Sequence, residues 1–90
     1  MMAVDIYYTA ELNDAASQLR SAATAVVVRG NDQSRFVYAE RNNHAIELCK
    51  SREGWWVELW ANEQVVAEHT YVSCIEAVLA SKSWLAQSAA

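Results

Sequence analysis

Large apolar side chains occupy alternate positions through much of residues 36–71, and short polar segments interrupt the alternation. Side chains on a β-strand point to opposite faces in turn, so this pattern predicts a series of half-buried strands. The β-branched run AVVVR just before it predicts one more strand. Because the segments between strands are too short for a parallel crossover, we expect an antiparallel meander.

Two turns fix the register that we predict for the central strands. Asn42-Asn43 predicts a two-residue hairpin turn, because asparagine enters the left-handed region at low cost. This turn pairs Val37 with Leu48, and the reversal at residues 51–54 then sets Leu48 against Val57. One face of the sheet is therefore expected to be aliphatic. Its members are Val37, Ala39, Ile46, Leu48, Val57 and Leu59.

The opposite face of the predicted sheet mixes aromatic side chains with carboxylates. Its members are Phe36, Tyr38, Glu40, Ala45, Glu47, Cys49, Trp56, Glu58 and Trp60. A small domain normally covers one face of such a sheet, and bulky apolar groups on the other face indicate a contact surface. The aromatic face is therefore where we look for function.

The register of the strand after Asn62-Glu63 depends on the length of the loop that precedes it. An odd loop length would place Val65, Ala67 and Tyr71 beside Trp55 and Val57. The same loop would place Val66, Glu68 and Thr70 beside Trp56 and Trp60. A change of one residue would exchange the two sets, and the pattern leaves that length open.

Helical spacing of apolar residues predicts a helix at each end of the chain. The first helix runs through TAELNDAASQLRSAAT from an N-cap at Thr9, with an apolar stripe of Leu12, Ala15, Ala16, Leu19 and Ala23. The second begins at a capping box formed by Ser73 and Glu76. Its expected inward residues are Ile75, Val78, Leu79 and Leu85, with Trp84 on or beside that stripe. The predicted fold is α+β, a single domain over residues 1–90, in which an antiparallel meander of four to five strands carries both helices on one face.

Composition narrows the class of protein. Hydrophobic residues make up 53% of the chain and charged residues 20%, which is typical of a folded domain. No apolar run reaches the roughly 20 residues that a membrane span needs, and the first residues lack the features of a secretory signal. We therefore expect a cytoplasmic protein that does not contact a membrane.

The formal charge of −4 argues against a generic nucleic-acid binder, because phosphate binding depends on Lys and Arg. Five of the seven basic residues nevertheless fall in the segment 29–52. They are Arg29, Arg35, Arg41, Lys50 and Arg52. Nucleic-acid binding by this segment stays the weakest alternative.

Candidate catalytic or metal-binding residues are few. Cys74 lies in the first turn of the second helix, where amide dipoles can lower a thiol pKa, and His69 precedes it by five positions. No Cys or His pair has zinc-site spacing, and no glycine-rich phosphate loop is present. We expect His44 to be an exposed turn residue, and we expect no catalysis, no cofactor, no metal site and reduced thiols at Cys49 and Cys74.

Three glutamates, Glu47, Glu58 and Glu68, are expected to neighbour one another on the aromatic face. Such a group is either a solvated polar surface, a receiver of a partner's cations or, least favoured, an acid/base pair. The leading hypothesis is a non-catalytic protein-interaction module, either a homodimer or an inhibitor or immunity-type partner of a larger protein. The alternative is a small-molecule or sugar-binding module on the same face. The expected contact residues are Trp56, Trp60, Glu58, Val66, Phe36 and Tyr38.

Overall fold

The fold consists of a helix, a five-stranded sheet and a second helix. The computed structural model describes residues 2–30 and 34–87, with side chains from residue 10 onward. The sheet is antiparallel throughout and its strands follow one another in chain order, which confirms the predicted α+β meander. The elements are α1 (Met2–Leu19), β1 (Ala25–Arg29), β2 (Phe36–Arg41), β3 (His44–Ser51), β4 (Gly54–Ala61), β5 (Gln64–Tyr71) and α2 (Cys74–Ala86).

Both helices pack on one side of the sheet, which we call the helix face. Its fully buried strand residues are Val37, Ala39, Ile46, Leu48 and Val57, joined by Trp55, which is 3% exposed. The helices supply Leu12, Ala15, Ala16, Leu19, Ala77, Val78 and Leu85 to the same cluster. Every sheet residue in or packed against this core belongs to the helix face. The opposite side of the sheet is the predicted aromatic face, which we call the second face from here on. It contributes no residue to this core.

The register of the central strands agrees with the sequence prediction. Val37 pairs with Leu48, and Leu48 pairs with Val57. Asn42 has a φ of 53°, so an asparagine does occupy the left-handed region in the first turn. Gly54 closes the next turn at a φ of 145°, where a Cβ would clash with the backbone oxygen of Tyr71.

A β-bulge resolves the register of β5. The turn itself has two residues, Asn62 and Glu63, both at positive φ. The bulge then shifts the ladder between Leu59 and Trp60, which has the same effect on facing as an odd loop. As predicted, Ala67 and Tyr71 lie on the helix face, whereas Val66, Glu68 and Thr70 lie on the second face. Val65 was expected on the helix face but pairs with Trp60, because the extra residue follows it.

The first helix begins earlier than its predicted cap. Thr9 lies inside α1, which starts at Met2, because the segment before Thr9 contains no proline or glycine to end a helix. The apolar stripe predicted for this helix is buried from Leu12 to Leu19. The helix ends at Leu19, and Ala23 packs at the margin of the core. The segment after β1, GNDQS, has the composition of a turn, but it falls largely on residues 31–33, which lie outside the described residues.

The second helix begins as predicted but turns a different side inward. The Ser73 Oγ accepts a hydrogen bond from the Glu76 backbone N–H at 3.2 Å, and the Glu76 carboxylate accepts one from the Ser73 N–H at 3.3 Å. Ile75 and Leu79 were expected inside but are 67% and 60% exposed. The small residues Ala77 and Ser81 point inward with Val78 and Leu85, and this lets α2 approach the alanine-rich side of α1 closely. Neither described helix is long and apolar enough to cross a membrane.

Candidate functional site

The second face carries bulky side chains that the described helices leave uncovered. Trp56, Trp60 and Phe36 are only partly buried, and Val27 and Val66 at the two edges are 41% and 53% exposed. On the three central strands, by contrast, the helix-face residues Val37, Leu48 and Val57 are completely buried. The second face is therefore a mixed apolar and acidic surface rather than core.

A row of glutamates crosses the middle of the second face. Glu47 on β3 lies directly opposite Glu58 on β4, and Glu58 lies opposite Glu68 on β5. Directly opposed residues in antiparallel strands have Cβ atoms about 4.5–5.5 Å apart, so three negative charges are held side by side. Partial burial, followed by repulsion from Glu58, raises the pKa of Glu47, and Arg29 offsets part of that rise. The carboxylates of the glutamate row therefore repel one another, and a cation bound between them would reduce this repulsion.

Tryptophans flank the glutamate row on both sides. Trp56 pairs with Thr70 on one side of the row, and Trp60 pairs with Val65 on the other. The Trp60 indole N–H donates to Glu58 Oε1 at 3.2 Å, and its backbone carbonyl accepts a hydrogen bond from the Trp84 indole at 2.9 Å. The Trp60 side chain and backbone are thus held from both faces of the sheet, at the position where the bulge interrupts the ladder.

Arg29, Tyr38 and Glu40 form a second polar group on the same face. The guanidinium carbon of Arg29 lies 4.9 Å from the Tyr38 ring centroid. The Tyr38 hydroxyl donates to Glu40 Oε1 at 2.6 Å. This hydrogen bond, helped by burial, raises the pKa of Tyr38 to about 12, so the phenol stays protonated and fixes the Glu40 carboxylate.

A cleft of about 650 Å³ opens between the β2–β3 turn and the β4–β5 turn. Ala45 separates Glu40 from Trp60 in one cross-strand line, so a small side chain forms the floor between two larger ones. Tyr38 and Glu47 line the cleft beside that floor. Its remaining lining comes from Asn42, Asn43, His44, Asn62 and Glu63. The volume lies in the range of small-ligand sites, and the lining is acidic.

His44 is not the exposed turn residue that we expected. It is the first residue of β3, is partly buried, and its ring centroid lies 4.4 Å from that of Trp84. Its Nδ1 is enclosed without a hydrogen-bond partner among the described residues. Trp84 is distant in sequence, so neither the burial of His44 nor this ring contact could be inferred from the residues around His44.

The two cysteines are free and half-buried. Burial, with smaller effects from Glu11 and Asp14, raises the pKa of Cys74 to about 11. Burial thus outweighs any lowering by the helix dipole, and Cys74 remains a protonated thiol that packs against the core. Burial also raises the pKa of Cys49. In the described part of the chain, no three His, Cys, Asp or Glu side chains are grouped so that they could hold a metal ion.

All six predicted contact residues lie on the second face. They are Trp56, Trp60, Glu58, Val66, Phe36 and Tyr38. The sequence reasoning missed the floor at Ala45, the Tyr38–Glu40 hydrogen bond and the Trp84 contact to the Trp60 carbonyl. The first could have been read from the small residue between two bulky ones in the predicted register. The contact from α2 carries no local sequence signal.

The cations of the segment 29–52 do not share one surface. Arg29 lies on the second face opposite Phe36, whereas Arg41 and Lys50 lie on the helix face opposite His44 and Trp55. A nucleic-acid phosphate backbone binds along one continuous basic surface. Cations divided between two faces of the sheet do not favour such binding.

Comparisons with protein-family models, with curated proteins and with solved structures each give no match. What the protein does must therefore be inferred from the chemistry of its own surface.

Proposed function

We propose that this protein is a non-catalytic interaction module that binds a basic protein partner through its second face. The observation that carries the proposal is the glutamate row, Glu47, Glu58 and Glu68, which lies between two tryptophans on the face of the sheet that the described helices leave uncovered. Aromatic side chains supply much of the energy of protein interfaces, and complementary charge selects the partner. A partner's Lys or Arg side chains would relieve the repulsion within the row.

The same row bears on whether the partner is a second copy of this chain. In a two-fold dimer formed face to face, each second face meets its own equivalent. Two glutamate rows would then approach one another, and like charges in an interface cost several kcal/mol. A foreign partner with a basic surface fits better than the homodimer, and an inhibitor or immunity-type role is one such arrangement.

Binding of a synthetic oligolysine decapeptide tests the proposal with a defined basic probe. We expect salt-sensitive binding by calorimetry, with NMR shifts concentrated on the second-face residues of β3, β4 and β5. The double variant Glu47→Gln, Glu58→Gln should weaken binding at least tenfold. The matched control is Glu11→Gln, Asp14→Asn, which removes the same charge from exposed positions on α1 and should weaken binding about twofold at most.

Equal losses in the two double variants would mean that net charge alone attracts the peptide, and the proposed site would be wrong. Absence of binding would also reject it. Sedimentation at several protein concentrations addresses the homodimer: we expect a monomer. A dimer that Trp60→Glu dissociates would make a second copy the occupant of the second face.

The cleft beside Trp60 supports a second candidate function, the binding of a small neutral ligand such as a sugar. Its volume and its asparagines at both turns are the observations in favour. Titration with monosaccharides separates the two functions. Shifts confined to Ala45, Trp60 and the two turns would favour the small ligand, whereas binding of the peptide alone would favour the protein partner.

A further inference from the structure

The cleft and the glutamate row are continuous, because Tyr38, Glu47 and Trp60 belong to both the cleft lining and the second face. A side chain that enters the cleft therefore projects from a partner that lies on the row.

The chain itself shows how a guanidinium binds on this face. Arg29 lies against the Tyr38 ring and is close enough to Glu47 to lower the pKa of that carboxyl. This arrangement combines an aromatic ring with a carboxylate, and it occupies the β1 side of Tyr38. The cleft lies on the other side, toward β3 and β4.

The cleft repeats the same two ingredients. Trp60 offers an indole ring whose N–H donates to Glu58, on a backbone whose carbonyl accepts from Trp84. Glu40 offers a carboxylate held in place by the Tyr38 hydroxyl. Between them the Ala45 floor spans about 10 Å, two strand spacings. Within the described chain, no cation lies over the Trp60 ring, in contrast to Tyr38 and Trp55, which have Arg29 and Lys50.

Resting on the proposed function, we propose that the cleft is an arginine-specific anchor: an arginine of the basic partner stacks on Trp60 and pairs with Glu40 and Glu47. Arginine fits better than lysine for a physical reason. A guanidinium is planar, stacks on aromatic rings, binds carboxylates through paired N–H donors and is weakly hydrated. A lysine ammonium is strongly hydrated and gains less from the ring.

The test compares oligoarginine and oligolysine decapeptides of equal charge by calorimetry. Wild type should bind oligoarginine at least tenfold more tightly than oligolysine. Ala45→Leu, which fills the floor of the cleft, should reduce this preference to within about threefold and leave oligolysine binding nearly unchanged. Trp60→Leu should also abolish the preference, because it removes the stacking surface.

Trp56→Leu is the matched control. It removes an indole from the same face of β4, but Trp56 does not line the cleft, so the arginine preference should remain. Equal affinity of wild type for the two peptides, or an undiminished preference in Ala45→Leu, would reject the arginine anchor while the basic-partner proposal stands. Failure of both peptides to bind wild type would reject the two proposals together.

Discussion

The two faces of the sheet are formed by the same strands but differ in burial and in chemistry. Neighbouring residues of β3 show this directly: Leu48 is completely buried beneath the helices, whereas Glu47 is half-buried on the second face among other carboxylates. On β4, Trp55 is enclosed and Trp56 is not. Strand alternation thus lets a short segment supply both the core and a charged aromatic surface. Substitutions one position apart should therefore affect different properties.

The largest expected effect separates the faces by stability. Leu48→Ala should lower the free energy of unfolding by about 2–5 kcal/mol, because it leaves a cavity in a closely packed core. Glu47→Ala, the adjacent substitution, should change it by about 0.5 kcal/mol or less, since it removes both a partly buried group and a repulsion. Urea unfolding measures both. Similar large losses would mean that the second face is also core.

A smaller effect is expected at the N-cap of α2, one of the two helices that cover the helix face. Ser73→Ala should cost about 1 kcal/mol, because it removes the side-chain acceptor that caps α2. Ser83→Ala is the control, since Ser83 is an exposed residue inside the same helix, where alanine is at least as favourable. Denaturant midpoints should fall for the first variant alone. An unchanged midpoint for Ser73→Ala would show that the cap adds nothing to the stability of α2.

The smallest effect concerns the pH dependence of the glutamate row. The raised pKa of Glu47 means that the folded state binds more protons than the unfolded state above the ordinary glutamate range. Its contribution to stability therefore increases as the pH falls from neutral through that raised pKa. Binding of a basic peptide should change in the opposite direction, because protonation removes the charge that attracts it.

Comparison of wild type with Glu47→Gln isolates this contribution. Between neutral pH and the ordinary glutamate pKa, the variant should show a flatter stability profile and a flatter binding profile. Urea unfolding and peptide titration across that range give the two curves. Identical pH profiles for the two proteins would mean that the environment of Glu47 does not perturb its titration.

How far the sequence predicted this molecule varies between its elements for physical reasons. The pairing of Val37, Leu48 and Val57 was predictable because short turns set the register and alternation then set the facing. The facing of Val65 was not, since the bulge beside Trp60 adds an unpaired residue to β5 at a position where the sequence has no glycine to mark it. The side of α2 that faces inward was also missed. Hydrophobicity alone predicted that Leu79 would face inward. The close approach of α2 to α1 instead places the small residues Ala77 and Ser81 there.

The candidate site divides in the same way. Its main residues, Trp56, Glu58 and Trp60, follow from alternation along a single strand, and their neighbours follow from the predicted register. The cleft does not, because it is produced by side-chain sizes and by two turns that meet at one end of the sheet. The contact from Trp84 to the Trp60 carbonyl joins residues 24 positions apart and required the tertiary structure.

Charge reversal at the centre of the second face tests most directly whether this face serves binding rather than stability. Glu58→Lys places a cation between Glu47 and Glu68, where opposite charges across strands are favourable, so the free energy of unfolding should stay within about 1 kcal/mol of wild type. Binding of the oligolysine decapeptide, measured on the same sample, should weaken at least a hundredfold. A stable variant that binds as wild type does, or one that fails to fold, would contradict the assignment of the second face as the binding surface.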